Sequence, residues 1–379
     1  MERPDYRMYH LKMTVLSPLH IGNGREMLKD YDYAVYNGRT WRIDENALLD
    51  LQQIEDTRIA EMLVSAKPAQ LIKAEDFQEG SPLFRYVLKG TPKSQAEGAV
   101  VRECLKDAFD RPYIPGSSLK GALRTALAVH LWQVKKMQPE IARLNPSPKF
   151  AAEEYERELF GKNPNHDLLR AFQVRDSAPL SPTVLMLVNA RVINASGKLG
   201  SPVELEAIRR DTEIRSEIKL DTALFSQWAK SLGFQLPNRD ALFQFVAITR
   251  QRSLRVIQRE LAWAKKLPNG KHIVDFYQNM LAFQLPESAF FLQVGWGGGW
   301  EQKTFGEQLK RDTGFMQTLL KPRSQKGWDV GRGHIPKNVE DFPTSRRVAM
   351  AYQRNAQGEI VREVPALPLG WMLVEVLGA

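Results

Sequence analysis

The chain has 379 residues, 43% of them hydrophobic, which is enough for a sizeable core and too many for a disordered protein. Lysine plus arginine number 53 against 44 aspartate plus glutamate, a formal net charge of +9 that favours a polyanionic partner such as nucleic acid. The single cysteine, Cys104, excludes an intramolecular disulfide and a thiolate zinc site. No run nears the roughly 18 apolar residues of a membrane span, and the opening MERPDYRMYH lacks the apolar core of a signal peptide. A soluble cytoplasmic protein with no membrane partner is expected.

In chain order, Tyr9 to Leu16 alternates loosely as a strand, and SPLHIGNGRE follows with a proline and two glycines. YDYAVYNGRTWRID then predicts a hairpin turning at Asn37-Gly38, because a type I′ turn needs positive φ at both centres. Glu45 to Val64 carries apolar residues at helical spacing, and KGTPKSQAE over 89–97 reads as a loop. In RPYIPGSSLKGALRTALAVHLW, Pro115-Gly116 breaks the chain, and Leu119, Leu123, Leu127 and Leu131 then repeat with a helical period. A short acidic helix from Glu153 ends at Gly161. Strands are expected in FQVRDSAPL and TVLMLVNARVI, and, beyond a turn over Asn194 to Pro202, in VELEAIRRDTEIRSEIKLD. Asn238 to Lys266 is the longest helical stretch. A strand then runs into a glycine loop and a helix, and the chain ends as β structure. The expected fold class is α+β: two domains with antiparallel sheets, divided at 1–197 and 198–379.

Four stretches are candidates for chemistry. In PGSSLKGALR, Ser117 or Ser118 caps a helix whose free N–H groups and positive dipole end attract a phosphate. Lys120 and Arg124 share one face there, and Gly116 and Gly121 permit close backbone approach. The alternative is a tidy capped helix with Gly121 at a packing contact. In VGWGGGWEQKTFG, Gly295, Gly297, Gly298 and Gly299 admit an RNA backbone. Trp296 and Trp300 offer stacking surfaces, with Lys303 close by. The tryptophans equally suit inward packing. In SPLHIGNGR, His20 and Arg25 flank a glycine turn. A catalytic His20 needs partners, and the six histidines are scattered without metal-ligand spacing, so neither a metal nor a cofactor is expected. Last, Arg252, Arg255 and Arg259 share a helix face that is either a backbone-tracking stripe or an ordinary solvated surface.

Together PYIPGSSLKGALR, SPLHIGNG, GWGGGWEQKT and the closing PLGWMLVEV resemble the repeat-associated mysterious proteins (RAMPs) of CRISPR type III complexes. Their order and spacing are most similar to the fifth-subunit type of the type III-A (Csm) complex. The resemblance implies paired ferredoxin-like (RRM-like) modules with helical insertions. It also implies a non-catalytic role that caps the 3′ end of the guide RNA (crRNA) filament beside neighbouring Csm backbone subunits. The resemblance further implies support of guide maturation in antiviral defence, by assisting host trimming nucleases. By position, the glycine motif falls on Gly295, Gly297, Gly298 and Gly299, and the PGSSLKG element on Gly116, Ser117, Ser118, Lys120 and Gly121. End-capping Cmr subunits share the latter element, and guide-processing endoribonucleases share a glycine-rich loop. The enzyme alternative uses His20 as base and Lys120 to stabilise charge.

Overall fold

A computed structural model describes residues 5–50, 66–94, 96–355 and 360–378. The fold is α+β, built on two antiparallel-rich sheets. The first has β1 (Tyr6–Val15) at its centre, between β10 (Glu213–Asp221) and β14 (Trp371–Leu377). Outside these lie β7 (Phe172–Val174) and β11 (Ala289–Gln293). Alternation in β1 sends Tyr9, Leu11, Met13 and Val15 inward. They meet Leu119, Leu123, Leu127 and Leu131 of α2 (Gly116–Val134) in the main core. Phe245 ties the layers together, lying edge-on to Tyr9, Phe172 and Phe290 at 5.3, 5.3 and 6.3 Å.

The second sheet runs β2 (Gly22–Leu28), β6 (Val100–Cys104), β9 (Leu199–Ile208), β8 (Leu185–Asn194), β5 (Phe84–Lys89), β4 (Arg39–Ile43), β3 (Tyr33–Tyr36). The far end of β8 also carries β12 (Ser345–Arg354), which pairs with β13 (Ile360–Pro368). Asn37 and Gly38 join β3 to β4 with φ of 48° and 71°, the I′ signature expected. The expected boundary at residue 197 falls in the turn between β8 and β9, and both sheets draw strands from either side of it.

Two expectations change in detail, and a third is described only in part. The turn near Asn194 is shorter than Asn194–Pro202, because β9 starts at Leu199. Pro202 is tolerated because β6 joins β9 further along, at Leu205, so its missing N–H faces no strand. The long helical stretch divides at Gln244 into α5 (Arg239–Phe243) and α6 (Phe245–Ala264). The helix expected over Glu45 to Val64 is seen as α1 (Glu45–Asp50), and its remainder lies outside the described residues.

Candidate nucleic-acid interface

The four motifs converge. The end of β1 runs into SPLHIG, which the two sheets clamp: Leu16 N–H donates to Trp371 O at 2.8 Å, and Leu19 and Ile208 exchange backbone bonds of 3.0 and 2.8 Å. Trp371 N–H donates to Ser17 Oγ at 3.0 Å. The glycine loop ties to the same point, through Val294 N–H to Gly370 O and Trp296 N–H to His20 O, both 2.9 Å. No side chain fits at Gly295 or Gly370. Both have φ of +82°, and a Cβ would lie 2.3 Å from His20 O or 2.1 Å from Val294 O. Between these segments and the start of α2 opens a cleft of about 780 Å³, lined by His20, Arg25, Arg102, Ser117, Ser118, Gly121, Arg124, Trp296 and Lys303 among others.

The cleft's floor is buried and hydrogen-bonded. His20 is buried, and its Nδ1 lies 2.7 Å from Glu206 O, so Nδ1 carries the proton and Nε2 is left as an acceptor. Burial brings its pKa down to about 4, with Arg102 and Lys106 adding to the effect against the Glu206 bond; the ring is neutral at pH 7. Glu206 is itself fully buried, and its carboxylate accepts from Tyr86 OH (2.7 Å), Cys104 N–H (2.8 Å) and Lys106 Nζ (2.6 Å).

The walls are basic. Trp296 lies half-buried beneath two guanidiniums, Arg347 4.5 Å and Arg102 5.6 Å from a ring centroid. Arg347 Nη1 donates to Trp296 O at 3.1 Å and makes no ion pair among the described residues. Burial, then Arg102 and Arg332, push its pKa below the usual arginine range. Burial and Arg347 likewise lower Lys303, which also makes no ion pair among the described residues. These cations repel one another. Arg102 has only a 3.7 Å contact to the half-exposed Glu26. An anion between them would relieve that repulsion.

Other expected site residues lie differently. Gly116 N–H donates to Asp176 Oδ1 at 2.7 Å, so a carboxylate from a distant loop already holds part of the helix start. A Cβ on Gly116 would fall 2.2 Å from Val174 O, so this glycine is a packing requirement; Gly121 has nothing within 4 Å and opens on the cleft. Lys120, placed by the sequence on the phosphate-attracting face with Arg124, is half-buried and donates to Leu169 O at 2.8 Å. Arg124 lines the cleft while pairing with Glu156 at 3.0 Å.

The stripe on α6 is buried at Arg252 and only partly solvated at Arg255 and Arg259. Arg252 is buried, donating to Glu301 O at 3.0 Å and Gln302 Oε1 at 3.1 Å, and its pKa falls to about 10 chiefly through burial. Arg255 pairs with Glu307 at 3.0 Å, and Arg259 with Glu301 and Glu307 at 3.5 and 3.4 Å. These arginines anchor the glycine loop from within the fold. Trp300 also packs inward, edge-on to Phe342 at 4.9 Å, with its ring 2.3 Å from where a Gly306 Cβ would stand. Gly297 meets Leu369 in the same way, at 2.4 Å; Gly298 sits against Gln302, and Gly299 is open. Arg102, Arg347, Asp176 and Gln302 escaped the sequence reading. Their only local signal is polar alternation on a strand or a loop position. Among the described residues no group of three or more His, Cys, Asp or Glu can hold a metal, and no helix is long and apolar enough to cross a membrane.

Fold and cleft together define an α+β protein with a basic, glycine-walled groove between two sheets. Residues 12–302 match the RAMP superfamily, and the chain belongs to it. Among curated relatives, the "CRISPR system Cms protein Csm5" of Methanocaldococcus jannaschii is 25% identical, over 96% of this chain and 87% of that protein. The protein of the same name from Streptococcus thermophilus is 30% identical over 60% of this chain and 68% of its own. Two solved structures share the fold at 22% identity, each covered over 97% of this chain and all of the other. They are a chain of a Csm–crRNA–target RNA ternary complex in a type III-A CRISPR-Cas system (TM-score 0.65) and the crystal structure of T. onnurineus Csm5 (TM-score 0.62).

Proposed function

We propose that this chain is a guide-RNA-binding subunit of a type III-A Csm effector complex, caps the 3′ portion of the crRNA beside neighbouring Csm subunits, and supports guide maturation without cutting RNA itself. The observation that carries the binding role is the set of cations around Trp296, of which Arg347 and Lys303 lack any carboxylate partner among the described residues. Such a site suits a single strand whose phosphates meet the cations and whose bases stack. Similarity to Csm5 proteins supports the choice of complex.

Two features support a non-catalytic role. His20 is a weak base near pKa 4, and Lys120, the expected charge stabiliser, is turned away to Leu169 O. The test is fluorescence anisotropy of the purified chain on single-stranded RNA across salt, with gel analysis of the same RNA with and without magnesium. Binding that weakens steeply with salt on intact RNA is expected. No measurable affinity would overturn the binding role. Cleavage that vanishes in His20→Ala would make the chain an endoribonuclease.

A further inference from the structure

The span from Lys321 to Lys337 reads in sequence only as a polar connection into the closing strands, yet it is a folded lobe. Asp329 N–H donates to Lys321 O (2.9 Å), Val330 N–H to Leu319 O (3.1 Å), Gly327 N–H to Pro322 O (3.0 Å) and Arg332 N–H to Asp329 O (2.9 Å). A Cβ on Gly327 would lie 2.0 Å from Lys321 O, so the turn is tightly closed. Trp328 and Val330 hold the lobe down on a cluster of Phe315, Leu320 and Phe342, and the same cluster receives Trp300 of the glycine loop.

The lobe's outer face is one-signed. Lys321, Arg323, Lys326, Arg332 and Lys337 are exposed, and none makes an ion pair with a described residue. The span's one carboxylate, Asp329, is used within the turn, accepting from Gly333 N–H at 2.8 Å. Elsewhere the surface mixes its signs: Arg143 meets Glu154 and Glu158, and Arg157 meets Glu153. A solvated face needs no such segregation, because like charges held together by a packed turn repel. The lobe also adjoins the cleft. Trp300 links it to the glycine loop, β12 leaves it carrying Arg347, and the charge of Arg332 is felt at Arg347.

We propose that this basic lobe carries the single-stranded RNA onward from the cleft, contacting backbone phosphates without reading bases. The proposal rests on the RNA-binding reading of the cleft, and its test separates the two. Anisotropy on the full chain compares oligoribonucleotides of about 4 and about 16 nucleotides, one too short and one long enough to leave the groove. The wild type should bind the longer strand more tightly and with a steeper salt slope. In the Lys321→Gln, Arg323→Gln, Lys326→Gln, Lys337→Gln quadruple variant, which leaves Arg332 beside Arg347 in place, the slope for the long strand should fall by up to about 3, at about 0.7 per lost phosphate contact, with short-strand binding unchanged. The charge-keeping Arg323→Lys, Arg332→Lys variant should retain the wild-type slope, which a mere loss of folding would not reproduce. A quadruple variant that keeps the full length preference overturns the lobe and leaves the cleft standing. A photocrosslinker at Lys326 that labels a protein neighbour rather than RNA in the assembled complex also overturns it. Failure of the wild type to bind either length sinks the cleft reading itself.

Discussion

Arginines crowd two regions of this molecule, and they are treated in opposite ways. On α6 every guanidinium is met: Arg252 by Glu301 O and Gln302, Arg255 by Glu307, Arg259 by both glutamates. In the cleft, Arg347 and Arg102 face an indole and each other. A helical basic stripe and a strand arginine look alike as charge, and only the stripe announces itself by period. Neutralisation separates them. The conspicuous set is spent holding a loop, and the inconspicuous one is left with an indole and a single 3.7 Å contact from Arg102 to Glu26.

The comparison breaks most visibly at Arg252. Arg252→Ala leaves Glu301 O and Gln302 Oε1 without their buried donor and should cost about 1–3 kcal/mol of stability in denaturant unfolding. In conditions where it stays folded, its RNA salt slope should match the wild type. A slope reduced without loss of stability would return α6 to the binding surface.

His20 sharpens the contrast on the pH axis. Its folded pKa of about 4 lies below the unfolded 6.5, so below pH 6.5 the unfolded chain takes up a proton that the folded chain refuses. Stability should therefore be unaffected by this group above pH 6.5. It should fall between 6.5 and 4, by about 3 kcal/mol at most for this one group. His20→Gln should flatten that window in pH-dependent melting, and an unchanged acid limb would show that the ring titrates freely.

Two further effects divide the cleft itself. Trp296→Ala should lose about 1–3 kcal/mol of RNA binding with an unchanged salt slope, as stacking requires. Arg347→Gln should do the reverse, lowering the slope by about 0.7 for one phosphate. Its melting temperature should change little, because the residue it removes is repelled by Arg102 and Arg332. Equal slopes in Arg347→Gln and wild type would mean that no phosphate sits there.

Much of the fold was legible because its signals are local. Asn37-Gly38 dictates its own turn, and the leucines from Leu119 to Leu131 announce the buried face of α2. The helix α7 (Lys271–Ala282) was passed over although Ile273, Phe276, Tyr277 and Met280 have the right spacing; Gly270, just before it, reads as a break. Three of the four motifs line the cleft and the fourth, PLGW, clamps them, which their sequence alone could suggest but not arrange. Side-chain directions were the illegible part. Lys120 turns to Leu169 O, and Asp176 reaches Gly116 N–H from 60 residues away, because long-range packing decides both and leaves no periodic trace. Trp296 and Trp300 sit in the same short motif, yet one faces the cleft and the other Phe342.

The knot of backbone bonds around Trp371 has a consequence for how the protein is made. Ser17 and Trp371, which bond directly, are 354 residues apart, and β1 lies between β10 and β14. During synthesis the first strand of the sheet must wait for the last before its second edge is covered, a long-range pairing that slows folding and exposes an apolar strand meanwhile. Until Gly370 has been made, Val294 N–H lacks the carbonyl that ties it down, so the groove is completed from a segment 76 residues further along the chain than the glycine loop it closes.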